Sequence, residues 1–120
     1  MRHMLIVAAT VVAAAGTTVP LGAAATSLKG EVVDVQCNLK DAKNKGTDHA
    51  DCASSCARRG ATMGIMTADG VYTITGDYTK ENNKKLLDFV AKQVHASGEV
   101  TEKDGKKLIE VTTLTAAAAQ

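Results

Sequence analysis

Tryptophan is absent from this 120-residue chain, and the only aromatic side chains are two tyrosines and one phenylalanine. A hydrophobic core must therefore come from valine, leucine, isoleucine, methionine and alanine. An excess of charge of one sign is also missing, because removal of Arg2 with the N-terminal segment leaves 13 basic against 13 acidic residues. Surfaces that bind nucleic acid usually carry a clear basic excess, so the composition argues against such a partner.

Long apolar runs are confined to the N-terminus, where residues 5–15 follow the basic Arg2. This run is shorter than the roughly 20 apolar residues that a membrane span requires. Pro20 and Ala23–Ala25 come next, and small residues of this kind are typical of signal-peptidase cleavage sites. We therefore predict a signal peptide, with an uncleaved N-terminal anchor as the alternative. No cysteine directly follows the run, which argues against lipoprotein processing.

Cleavage after Ala25 divides the chain into a signal peptide over residues 1–25 and a single domain over 26–120, in which 115–120 form a frayed tail. The mature protein is then expected in the periplasm or the surrounding medium, without a stable membrane anchor. A domain of this size buries only a modest share of its surface. A bound metal or a crosslink would therefore add useful stability.

Alternating hydrophobicity and turn signals divide the domain into five strands and two helices. The predicted strands are Lys29–Cys37, Gly64–Thr67, Val71–Thr75, Val94–Thr101 and Lys107–Leu114, and the predicted helices are Asp48–Arg59 and Lys80–Ala91. Asp69-Gly70 and Asp104-Gly105 are typical of hairpin turns. A helical insertion after strand 1 and a helix between strands 3 and 4 match a five-stranded OB-like barrel. We predict this mainly β (α+β) class, with a split α+β sheet as the rival.

Three cysteines lie in the predicted domain, an odd number for an exported protein, in which thiols usually pair. On the first predicted helix, His49, Cys52 and Cys56 are spaced at i, i+3 and i+7 and share one face. Cys37, at the end of strand 1, can reach that face because the loop between them is long. Three thiolates and one imidazole suit tetrahedral zinc, or another thiophilic metal such as copper. These four residues are the predicted metal ligands.

Two other uses of the cysteines stay open. A disulfide from Cys37 to Cys52 or Cys56 would tie the helix to strand 1 and leave one spare thiol, giving an interaction scaffold without metal. Alternatively, the cysteines are unlinked core residues, or His49 lowers the pKa of Cys52 and makes it reactive. The chain has no C-x-x-C motif and no visible third catalytic group, so we expect a binding protein and not an enzyme.

Neighbouring residues also have alternative roles. Met63 and Met66 would favour copper(I) over zinc if their thioethers lay near the thiolates, but we expect them to fill the core. Asp34 could orient His49, although a solvated strand position is the preferred interpretation. An isolated His95 is expected on the surface.

These motifs make the sequence similar to a group of small exported bacterial OB-like domains. The group opens with G-x-V-x-D-x-x-C, here Gly30–Cys37, and continues with H-x-x-C-A-x-x-C and a glycine, here His49–Cys56 and Gly60. The group often has a proline shortly after that glycine, where this chain has residues 61–63 as Ala-Thr-Met. The resemblance implies export and the fold. It assigns no activity, no protein or small-molecule partner, and no oligomeric state.

Overall fold

A computed structural model describes residues 25–117, and its secondary structure is mainly β. Its five strands are β1 (Thr26–Asp34), β2 (Met63–Thr67), β3 (Gly70–Thr75), β4 (Gln93–Lys103) and β5 (Lys106–Ala116). The predicted number and order of strands are therefore confirmed, while residues 1–24 of the predicted signal peptide and 118–120 of the predicted tail lie outside the described residues. The strand β5 includes Thr115 and Ala116, which were assigned to that tail.

The five strands form one mixed sheet in the order β1-β2-β3-β5-β4. Because β4 also pairs with β1, the sheet closes in a ring. The pair β3 and β5 is parallel, and the other neighbouring pairs are antiparallel. Ring closure leaves the sheet with no free edge along its paired segments, which protects it from pairing with other chains.

Helical segments lie in the two long connections of the sheet. Between β1 and β2 the chain forms α1 (Val35–Lys40), a 3-10 turn (Thr47–His49) and α2 (Ala50–Arg58). Between β3 and β4 it forms a 3-10 turn (Asp77–Thr79), the single turn α3 (Lys80–Asn83) and a 3-10 helix (Lys84–Phe89). None of the helices in the described part is long and apolar enough to cross a membrane.

The first strand ends earlier than predicted. The side chain of Asp34 accepts a hydrogen bond from the backbone N–H of Cys37 at 3.1 Å, which makes it the N-cap of α1. Aspartate is among the most favourable residues at this position because it satisfies a free N–H group of the first turn. Two predictions were therefore wrong: Cys37 lies in a helix and not at a strand end, and Asp34 is 2% exposed and not solvated.

The second half of β1, residues 30–34, is buried on both faces, whereas Thr26, Ser27 and Lys29 are exposed. Val32 and Val33 point to opposite faces and are 0% and 2% exposed. The loop after α1 contacts this half, where a carboxylate oxygen of Glu31 accepts a hydrogen bond from the backbone N–H of Gly46 at 2.8 Å. A segment covered on both sides has no polar face, so the period of two is lost there.

The predicted helix Lys80–Ala91 does not form as one α-helix. Glu81, Asn82 and Asn83 have φ values of 53°, 55° and 59°, so α3 is a left-handed turn that leads into the 3-10 helix. Asparagine tolerates this conformation better than most residues. The Asn83 amide also donates to the carbonyl oxygens of Ala57 and Ala61, both at 2.9 Å. These contacts with the end of α2 override the helical pattern.

The hydrophobic core fills the ring and extends to the helical segments. Its members are Val32, Ala53, Ala57, Met63, Ile65, Ile74, Leu86, Val90, Val94, Ala96, Ile109, Val111 and Leu114. Two of them, Ala53 and Ala57, are one turn apart and bring one face of α2 close to the sheet. Met63 is 1% exposed, which confirms its role as a core residue, and His95 is exposed as expected.

Candidate metal site

Three cysteines from two helices meet outside the ring of strands. Cys37 lies on α1, and Cys52 and Cys56 lie one turn apart on α2. Their Sγ atoms all lie within 4.8 Å of one another. Cys52 is exposed, the other two are half-buried, and all three cysteines of the chain are free thiols. The fold therefore brings three positions within a 20-residue segment, 37–56, into one cluster of sulfur atoms.

The backbone of Cys37 is held on both sides. Its N–H group is bonded to Asp34, as described above, and its carbonyl oxygen accepts the side-chain amide of Asn44 at 2.9 Å. The same carbonyl accepts the backbone N–H of Asp41 at 3.1 Å. These contacts keep α1 in place although it has only six residues.

Packing and capping fix the position of α2. Ala53 and Ala57 pack in the core. The helix ends before Gly60, as the predicted bound at Arg59 requires, and Gly60 adopts a φ of 85° that favours glycine. The carbonyl of Cys56 accepts the N–H of Ala61 at 3.1 Å, and the Asn83 amide binds the same end of the helix. Two independently anchored helices thus hold the three thiols close together.

The charges around the cluster oppose a free thiolate at Cys37. Burial raises the pKa of the Cys37 thiol above its ordinary value, and the Asp34 carboxylate and the two neighbouring cysteines raise it further. The Nη2 atom of Arg59 donates a hydrogen bond to the Cys56 Sγ at 3.6 Å. A bound cation would favour deprotonation of all three sulfurs, since a coordinating thiol loses its proton.

His49 is not a member of this group of donors. It lies at the end of the 3-10 turn, with φ −106° and ψ −1°, so the α-helical spacing that predicted a shared face with Cys52 does not apply to it. Its Nε2 atom is buried without a hydrogen-bond partner in the described part of the chain. The structure therefore brings together three of the four predicted ligands, and the role of His49 stays a prediction.

Two residues that contact the cluster were not predicted from the sequence. Arg59 follows Cys56 by three positions, a spacing that brings side chains together at the end of a helix, so this contact could have been predicted. Asn44 reaches the Cys37 carbonyl from a polar loop, and its position depends on how that loop folds back. No local pattern indicates this contact.

The cluster fits a thiophilic ion by both donor type and distance. Sulfur bonds to zinc are about 2.3 Å long, so three sulfurs around one such ion are ~4 Å apart. Sulfurs already within 4.8 Å of one another need only small side-chain rotations to reach this spacing. A disulfide requires a shorter approach, with an S–S bond of about 2.05 Å and a specific dihedral angle.

No protein-family model, curated protein or solved structure matches the chain. The functional conclusion therefore rests on the geometry and chemistry of the site.

Proposed function

We propose that this protein is a small exported binding module that holds a transition-metal ion, zinc or copper, through its cysteine cluster. The observation that carries the proposal is the convergence of the Cys37, Cys52 and Cys56 sulfurs within 4.8 Å of one another. Thiolates are the ligands that zinc and copper(I) prefer among protein side chains. The role is binding and not catalysis, since the sequence offers no third catalytic group beside the thiols.

The fold and the location are parts of the same proposal. The strand order β1-β2-β3-β5-β4 and the helical segment between β3 and β4 support an OB-like barrel and the resemblance to small exported domains. The N-terminal apolar run and Ala23–Ala25 support export to the periplasm or the medium. A metal ion is then the partner that the domain meets after export.

Elemental analysis of the mature protein tests the proposal directly. The protein is purified from the periplasm without chelator or added metal, and we expect about one metal ion per chain, as in other single-ion cysteine sites. The variant C56S should lose most of this metal because it removes one donor. The matched control S55A changes an exposed neighbour on α2 and should retain it. Metal-free wild type, beside a control metalloprotein that keeps its ion, would contradict the proposal.

The variant H49A tests the fourth predicted ligand. If the imidazole coordinates the metal, H49A should bind less metal than the wild-type protein. Unchanged stoichiometry and affinity would remove His49 from the site and leave the three sulfurs as the complete set of protein donors.

A disulfide-linked interaction scaffold is the alternative function. The cluster favours it too, because any two neighbouring thiols are close enough to pair after rearrangement. A groove of about 600 Å³ beside α1 offers a place for a ligand, and Leu39 in its wall is 72% exposed. Mass spectrometry of a non-reduced digest distinguishes the two functions: a stable crosslink from Cys37 without metal supports the scaffold, and three free thiols exclude it.

A further inference from the structure

The number of donors at the cluster separates two kinds of metal site. Among the described residues, the three cysteines form the one group of His, Cys, Asp or Glu side chains whose ligand atoms lie within 4.8 Å of one another. Structural zinc is almost always bound by four protein ligands in a tetrahedron. Copper(I) is a softer ion that thiolates select strongly. A site with three sulfurs and no fourth protein donor therefore suits copper(I) better than structural zinc.

The other donor side chains that the sequence singled out do not belong to the group. Met63 lies in the core, and the Sδ atom of Met66 accepts a hydrogen bond from the Asn38 amide at 3.6 Å. Asp34 accepts the N–H of Cys37, and the Nε2 atom of His49, which is buried without a hydrogen-bond partner among the described residues, is not among the clustered donor atoms. Cys52 is exposed, so solvent can reach the cluster at this residue.

The charge next to the cluster also bears on the bound ion. Three thiolates and one copper(I) ion carry a net charge of −2, and the buried Asp34 adds to the negative charge of the surroundings. A positive charge lies beside the cluster, because the Arg59 guanidinium donates a hydrogen bond to the Cys56 sulfur at 3.6 Å. Its positive charge partly offsets this excess by Coulomb attraction.

We infer that Cys37, Cys52 and Cys56 bind a single copper(I) ion in a three-coordinate, all-thiolate site with one side open to solvent. This inference rests on the proposed metal-binding function and names its cargo. On binding, three S–H bonds break, three Cu–S bonds form and the protons pass to solvent. Copper remains in the +1 state throughout, so no oxidant or reductant takes part.

Copper(I) titration of the reduced mature protein, without oxygen and against a chromogenic copper(I) chelator, tests the inference. We expect one ion per chain, an X-ray absorption spectrum with sulfur neighbours and no nitrogen, and an unchanged affinity in H49A. Removal of a direct ligand in C37S, C52S or C56S should weaken binding more than ~100-fold, the upper range for the loss of a supporting contact. The control S55A should bind as the wild type does.

A parallel titration with cobalt(II), used as a spectroscopic substitute for zinc, tests metal binding separately from the choice of copper(I). A tetrahedral cobalt(II) spectrum that needs His49, with binding preferred over copper(I), would overturn the copper inference and leave metal binding in place. Failure of the reduced protein to bind either ion would overturn both. Nitrogen in the copper(I) spectrum that disappears in H49A would also refute the three-sulfur site.

The variant R59A tests whether the positive charge beside Cys56 supports metal binding. The matched control is R58A, since Arg58 is exposed at the end of α2. Loss of the guanidinium should weaken copper(I) binding about 10-fold, as for other contacts that support metal ligands. The R58A variant removes the same charge one residue away and should bind nearly as the wild type does. Equal affinities in the two variants would show that Arg59 has no specific role in the site.

Discussion

Asp34 links the fold to the candidate site through a single side chain. It is the last residue of β1 and the N-cap of α1, and its carboxylate lies beside the Cys37 thiol. The cap stops the strand and starts the helix, so it decides where Cys37 is placed. The same carboxylate raises the pKa of that thiol. Asp34 therefore has two effects: it positions the Cys37 sulfur, and its negative charge opposes deprotonation of that sulfur when no metal is bound.

Asn82 and Asn83 form a natural pair for an experiment at the residue scale. Both have left-handed backbones, but Asn82 is exposed, whereas Asn83 is 3% exposed and donates two hydrogen bonds to the end of α2. We expect N83G to lower the free energy of unfolding by about 2 kcal/mol, because two carbonyl groups lose their partner. N82G relieves backbone strain while increasing the entropy of the unfolded chain, so its change should stay within about 0.5 kcal/mol.

Urea denaturation of both variants measures this difference. Similar losses in N82G and N83G would mean that the side-chain contacts of Asn83 contribute little, and that the left-handed turn is set by the backbone alone.

At the scale of elements, closure of the ring depends on a close approach between β4 and β5. The register of this pair shifts between Ser97 and Gly98, and a Cβ atom on Gly98 would lie 2.1 Å from the carbonyl oxygen of Glu110. A glycine inside a strand is typical of such places, where another backbone comes too near for a side chain. The register shift falls at the residue where the two backbones come this close.

The variant G98A should therefore destabilise the protein by ~2 kcal/mol or more, because backbone atoms must move to accept the methyl group. G105A is the matched control. Gly105, in the hairpin turn, has a φ of 74° but open space around its Cβ position, so alanine there should cost about 1 kcal/mol through backbone strain alone. Thermal or urea unfolding compares the two. A cost for G98A no greater than that for G105A would contradict the role of the close approach.

At the scale of the whole molecule, the cysteine cluster and the hydrophobic core are separate. None of the three cysteines belongs to the core cluster, which is built from the strands, α2 alanines and the segment before β4. A site outside the core can lose its ion while the ring stays folded. We therefore expect the metal-free, reduced protein to unfold cooperatively, unlike small domains that need zinc to fold.

Metal should still stabilise the folded state by mass action. Free metal at 100 times its dissociation constant should add about 2.7 kcal/mol to the free energy of unfolding and raise the melting temperature. The C56S variant should show a much smaller shift at the same metal concentration, and S55A should show the full one. A chelator-treated wild type without a cooperative transition would instead identify the metal as a structural requirement.

Local signals in the sequence predicted the parts of the fold that local contacts stabilise. The turn at Asp104-Gly105 is confirmed, and both of its residues have positive φ values, as this type of hairpin requires. The helix that carries Cys52 and Cys56 was also predicted, with its stop at Gly60. The helix over Lys80–Ala91 failed because Asn83 gains two contacts with α2 that lie 22 and 26 residues away in sequence. A hydrophobic pattern contains no information about such contacts.

For this protein, the sequence by itself determined the five strands, the helix α2 and the cysteines as candidate donors. These depend on residue type and on neighbours a few positions away. Only the tertiary structure decided between the predicted closed sheet and the rival split sheet, paired β3 and β5 in parallel, and brought Cys37 to Cys52 and Cys56 without His49. The reason is that pairing of distant strands and the meeting of α1 with α2 depend on packing between segments that are far apart in the chain.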